Sequence, residues 1–255
     1  MKTIQALVTG SVMLISNVAL ACSCALFWNV FPSDGSASVP TNVVVRAWYP
    51  HPSPPTPTSV TLVKVATQDP IEFVPTQGPG PFLRSYTPTA PLEPMTQYQL
   101  TIDEVSTTFT TGEGEDHEAP VAPRFQGLAY AQSGTPEAAS CGVSKTWSLN
   151  FTGGDDAQTP REQLLVFAQT SGSDEVADAT GLTSVARSSL GTSLCSTNFQ
   201  PPSGSFSVAL QVMDFAGNVS PRSTTKQGSS CASVPELFAM LALLSLRRRV
   251  NSARG

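Results

Sequence analysis

The side chains able to do chemistry are sparse and poorly placed for it. The chain has two histidines. His51 lies in the proline-rich stretch PHPSPPTPT (50–58), and His117 lies in the acidic run TGEGEDHEAP (111–120). A Ser-His-Asp site needs a histidine held by packing beside its nucleophile. Neither stretch offers such a wall, and no G-x-S-x-G elbow occurs. A zinc site needs about three or four converging ligands. His117 has only Asp116 and Glu118 beside it, in a run that reads as solvated. Calcium takes about six to eight oxygens. Candidates are Asp155 and Asp156 in GGDDAQ, Asp174, Glu175 and Asp178 in SGSDEVADA, and Asp214 before the turn DFAGN. None has EF-hand spacing. Acidic residues of this kind read as ordinary solvated turns, with Asp214 bonding the backbone of its own turn. The expectation is a chain with no catalytic residues, no metal ligands and no cofactor, hence no hydrolase activity.

Cysteines and termini point to export. Residues 1–21 carry one early charge at Lys2, an apolar stretch, and Ala19-Leu20-Ala21, the A-x-A pattern of a secretory signal peptide cut after Ala21. Outside the cytoplasm disulfides persist. Cys141 and Cys195 fall in one strand-rich unit and are expected to pair, closing a loop worth about 4 kcal/mol in the chain-entropy model. Five cysteines leave an odd one, and Cys22 and Cys24 open the mature chain. Lipidation of Cys22 stays open, because Ala19 stands where a lipoprotein box carries a larger aliphatic residue.

Any such groups must be positioned by short strands. Residues 22–230 carry 18 acidic and 9 basic side chains, a net charge of −9 that repels phosphate backbones and excludes nucleic acid as a partner. The 22 prolines and 18 glycines break the chain too often for long helices. VVVRAW (43–48), VTLVKV (60–65) and IEFV (71–74) read as strands, and YQLTI (98–102) alternates with Tyr98, Leu100 and Ile102 on one face. Beyond the acidic run, KTWSLNF turns Trp147, Leu149 and Phe151 inward. QLLVFAQ (163–169) is nearly continuous in apolar residues, and FSVALQV alternates Phe206, Val208, Leu210 and Val212. Gly217-Asn218 suits a tight turn. The glycine-rich acidic run between the two sets reads as a solvated linker, 113–119.

Three resemblances follow from these residues. Leu92, Pro94, Thr96, Tyr98 and Leu100 resemble the tyrosine-corner entry of immunoglobulin-like and fibronectin type III sandwiches. Pro32, Asp34, Gly35, Val39, Pro40 and Asn42 resemble the opening strand of bacterial Ig-like domains of the S-layer type, and QVMDFAGNVS resembles the final hairpin of fibronectin type III-like domains. These imply an all-β chain of two Ig-like β-sandwiches in tandem, over 31–112 and 120–227, between the signal peptide and a C-terminal tail. The tail, 231–255, joins Cys231, a short apolar run and Arg247, Arg248 and Arg249. It resembles MYXO-CTERM sorting tails, and its Val234-Pro235-Glu236 resembles PEP-CTERM tails. A tail of that kind implies membrane contact, a processing enzyme that acts at Cys231, and delivery to the cell surface or outer membrane, or release outside the cell.

The expected function is a non-enzymatic surface protein, a spacer or adhesion module whose partner is an envelope or extracellular protein or glycan. The alternative is a glycan- or peptide-binding accessory of an extracellular enzyme system. Trp28, Trp48 and Trp147 are the places to look for sugar stacking, although Trp147 falls on an alternating face and reads as core.

Overall fold

The computed structural model describes residues 28–49, 56–78, 82–133, 143–172, 175–192 and 204–229. All regular structure among them is strand, apart from two single 3-10 turns, Arg161–Gln163 and Val185–Arg187. The chain is all-β, two Ig-like sandwiches in tandem.

The first sandwich pairs β1 (Asn29–Phe31), β3 (Val45–Trp48), β6 (Leu83–Pro88) and β5 (Phe73–Gln77), in that order, in one sheet. The facing sheet runs β2 (Ser36–Val39), β8 (Val105–Thr111), β7 (Gln97–Ile102) and β4 (Val60–Lys64). Strand β2 lies parallel to β8, while the other pairings are antiparallel. Period-2 alternation sends Tyr98, Leu100 and Ile102 into the core with Val39, Val45, Ala47, Leu62 and Phe109. The tyrosine corner is built: the Tyr98 hydroxyl accepts the Glu93 amide at 2.9 Å. Asp34 ties the entry strand down, accepting both the amide and the hydroxyl of Thr108.

In the second sandwich β9 (Arg124–Ser133), β10 (Ser144–Thr152) and β13 (Ser189–Thr192) form a sheet with β10 in the middle. It faces β12 (Glu175–Ser184), β11 (Leu165–Gly172), β14 (Ser205–Met213) and β15 (Lys226–Ser229), in that order. Trp147 and Leu149 meet Phe206, Val208, Leu210 and Val212 between the sheets. Of the acids expected in solvated turns at SGSDEVADA, Glu175 and Asp178 lie in β12, which pairs antiparallel to β11.

The two sandwiches pack back to back. In β3, Val45 and Ala47 point into the first core, while Arg46 is also buried and Trp48 joins an outer apolar cluster. In β11, Val166 and Ala168 point into the second core, while Leu165 and Phe167 join that same outer cluster. Leu83 of β6 and Met213 of β14 complete it. This explains the near-continuous apolar run of β11, which is buried on both faces. A strand with one wet face would have alternated.

Candidate functional site at the junction

Three chain segments converge at one end of this junction. They are the run between the sandwiches, the loop from β10 to β11, and the turn after β14. The turn carries Phe215, which is 1% exposed and packs in the core of the first sandwich, although the chain places it in the second. Its carbonyl accepts the Val44 amide at 2.9 Å, and its amide donates to the Thr159 hydroxyl at 3.0 Å. Arg46, 2% exposed, donates from Nη1 to the carbonyls of Asp214 (2.8 Å) and Phe215 (3.3 Å). Gly217 lies against it: φ is +96°, and a Cβ there would stand 3.0 Å from the Arg46 Nη2. The turn therefore needs glycine both for its backbone and for the room it leaves.

The acidic run is clamped from both sides. Asn42 of the first sandwich pairs with Asp116 as a strand neighbour would, donating Nδ2 to its carbonyl (2.8 Å) and accepting its amide at Oδ1 (2.9 Å). Asn218 of the second donates Nδ2 to the carbonyls of Asp116 and Glu118, each at 3.2 Å. A solvated linker was expected. Glu113, Gly114, Glu115, His117 and Glu118 are indeed exposed, but Asp116 is 1% exposed. The two asparagines replace the water that its backbone would otherwise need.

Asp116, Asp156 and Asp214 meet here, offering one carboxylate oxygen each, all within 4.8 Å of one another. One oxygen of each is committed to the backbone. Asp116 Oδ1 accepts the Glu118 amide at 3.0 Å. Asp156 Oδ2 accepts those of Gln158 (2.9 Å) and Thr159 (2.6 Å), and Asp214 Oδ1 those of Gly217 (2.7 Å) and Asn218 (2.8 Å). The expected bonding of Asp214 to its own turn is thus present, and it uses only half of the carboxylate. Oδ2 of Asp116 and Oδ2 of Asp214 are buried with no hydrogen-bond partner.

The electrostatics match this burial. Loss of water raises the Asp214 carboxyl to about 6, and the charge of Asp116 adds to the rise against the pull of its turn amides. Burial also raises Asp116, helped by the charges of Asp156 and Glu118. Two like charges about 5 Å apart repel by on the order of 3 kcal/mol at an effective dielectric near 20. The nearest buried cation is Arg46, lowered to about 10 by desolvation and drawn back up by Asp214. Its hydrogen bonds go to carbonyls, so the free carboxylate oxygens are left without a donor.

The other residues singled out from sequence do not join this cluster. Asp155 is exposed and bonds Arg161 at 2.5 Å. His117 is exposed and pairs with Glu115 at 2.9 Å. Trp147 is 1% exposed, within the second core. Trp28 is 7% exposed, tilted against Tyr49 and bonded from Nε1 to Asp103 at 3.0 Å, so it offers no open face for a sugar. Trp48 is half-buried and lines a cleft of about 480 Å³ between the sandwiches, with Trp28, Ser33, Glu162 and Gln163. Ala21, Cys22, Cys24, His51, Cys141, Asp174, Cys195, Cys231, Arg247, Arg248 and Arg249 lie outside the described residues.

Sequence reasoning sets Asp116 beside His117 and Glu118 in a solvated run and misses its burial. The signal was indirect: Asn42 and Asn218, the residues that clamp it, both stand at positions of the sandwich motifs.

No family model matches the chain, and no curated protein matches it. Among solved structures it is similar to L,D-transpeptidase 1 of Mycobacterium tuberculosis (12% identity, TM-score 0.28, 51% of this chain and 77% of that one). It is also similar to chicken CNTN1 domains FN1–FN3 (11%, 0.26, 77% and 65%). A third similarity is to the fibronectin(III)-like modules of Clostridium thermocellum CbhA (10%, 0.22, 79% and 92%). At such scores the sandwich assignment rests on the strand order described above, and no activity follows from the likeness.

Proposed function

We propose that this chain is a non-enzymatic, exported surface module, two Ig-like sandwiches fused into one stiff spacer or adhesion unit. The carrying observation is the shared core: Phe215 of the second sandwich fills the first, and Arg46 of the first caps the turn that presents it. Two domains joined only by a linker would swing independently. Here a buried apolar face and a clamped linker oppose that motion. A unit of this kind holds whatever lies at its ends at a fixed distance. In this reading the N-terminal signal exports the chain, and the tail from Cys231 is handled at the membrane by a processing enzyme.

The test has two parts. Small-angle scattering and denaturant unfolding of the exported chain are expected to give one compact particle and one transition. Two separate transitions with an extended envelope would sink the stiff-unit reading. Cell fractionation with mass mapping of the mature C-terminus tests display. A soluble cytoplasmic protein with residues 1–21 and 232–255 intact would remove export and processing. A hydrolytic turnover that copurifies with the chain and is lost on His117→Ala would overturn its non-enzymatic character.

The cleft at Trp48 favours a second reading, a glycan- or peptide-binding accessory. The Trp48 Nε1 is a buried donor without a partner, and Trp48 lines a groove between the sandwiches. Binding to a glycan or peptide array that disappears on Trp48→Ala would select this reading over the spacer.

A further inference from the structure

We infer that Asp116, Asp156 and Asp214 form a calcium site that locks the two sandwiches together. Two independent observations converge. Three carboxylates from three separate chain segments bring oxygens within 4.8 Å of one another. Two of these residues, each 1% exposed, end in an oxygen that no donor satisfies. A buried carboxylate oxygen left unpaired is costly, and a cation is the partner that satisfies several at once.

The donor set selects the ion. All three ligands are hard oxygens, with no thiolate or imidazole among them, which points away from zinc and copper and towards calcium or magnesium. Magnesium demands near-ideal octahedral geometry and keeps several of its waters. Asp116 and Asp214 are buried with Phe215 and Arg46 packed beside them, while Asp156 is half-buried, which gives an irregular set of oxygens rather than an octahedral one. Calcium accepts irregular oxygen cages and sheds water more readily, so it fits better. The committed oxygens support this assignment. Each carboxylate is held by backbone amides through one oxygen, which orients the other, as the outer-shell partners of metal ligands do.

The consequence is mechanical. Asp116 belongs to the connecting run, while Asp156 and Asp214 belong to the second sandwich, and Asn42 ties Asp116 to the first. An ion held by all three joins the connection to the second sandwich at the place where Phe215 enters the first. The site therefore deepens the stiff-unit reading, and it is independent of where the protein is displayed.

The experiment is calcium titration of the full exported chain after chelation, by calorimetry and by thermal denaturation, with magnesium in parallel. Calcium is expected to bind at about one ion per chain and to raise Tm by several degrees, with magnesium far weaker. Asp156→Asn, at the half-buried ligand, is expected to fold and to bind calcium at least about tenfold more weakly. Asp214→Asn tests a buried ligand, but it also alters the turn, so Asp156→Asn decides the matter if Asp214→Asn fails to fold. Asp155→Asn, next in sequence but bonded to Arg161, is expected to leave affinity unchanged. The inference is overturned if millimolar calcium neither binds nor shifts Tm, or if Asp156→Asn binds as tightly as wild type. A fractionation result that contradicts surface display leaves this outcome unaffected, which separates the two failures.

Discussion

The junction has two ends, built from opposite materials. At one, Leu83, Leu165, Phe167 and Met213 press together with Trp48 and Phe31 at their edge. At the other, Asp116, Asp156 and Asp214 crowd their charges beneath Phe215 and Arg46. The apolar end attracts without direction and does not respond to pH or ions. The acidic end is directional, strained by its own charge, and responsive to both. The first supplies adhesion, and the second fixes orientation and makes it adjustable.

The largest expected effect breaks the link between the two ends. Phe215→Ala empties a fully buried aromatic site and is expected to cost about 3–5 kcal/mol. Denaturant unfolding followed by tryptophan fluorescence would show it. Because Phe215 serves both sandwiches, their unfolding should shift together or separate into two steps. An unchanged midpoint would contradict its placement in the first core.

Arg46→Ala comes next, at about 2–3 kcal/mol, because it takes the guanidinium donor from the Asp214 and Phe215 carbonyls, leaving them the Gly217 and Val44 amides, and removes the stem that packs beside them. Arg46→Met restores packing without charge and should recover part of the loss. If both variants unfold like wild type, the guanidinium contributes nothing to the junction.

The smallest effect is a slope. The Asp214 carboxyl titrates near 6 when folded and near about 4 when unfolded, so between those values the folded chain holds the extra proton. Without calcium its contribution to stability is present below about pH 4 and falls as pH rises through about 6. The charged groups around it are Asp116, Asp156, Glu118 and Arg46. Asp34 and Asp103 are held below the ordinary carboxylate value by hydrogen bonds from Thr108 and Thr58, so their contribution is lost only at lower pH. Thermal melts in chelator across this window should show the decline, and Asp214→Asn should flatten it. A wild-type Tm that rises with pH from about 4 to about 6 would refute the assignment.

Strand positions were legible where one face is wet. Tyr98, Leu100 and Ile102 announce their sheet by alternation, and so do Phe206, Val208, Leu210 and Val212. LRSYTP, now β6, has no such rhythm, because Leu83 turns to the partner sandwich while Tyr86 serves its own core. SGSDEVADA reads as solvated acidic turns, yet Glu175 and Asp178 fall in β12, because β-propensity is weak beside the pairing that β11 supplies. The acidic cluster was half legible. Asp156 and Asp214 were candidates, but their partner Asp116 looks like any linker acid. Its burial depends on Asn42 and Asn218, which lie 74 and 102 positions away in the chain.

Phe215 also sets an order of events during synthesis. The last strand of the first sandwich ends at Thr111, and the residue that completes its core follows 104 positions later. At about 5–20 residues per second that delay is roughly 5–20 s. Throughout it the N-terminal sandwich waits with its Val44 amide unpaired and the site for Phe215 unfilled. The earlier domain is thus the client of the later one, and a chain stopped before residue 215 would release a first sandwich with a hole in its core.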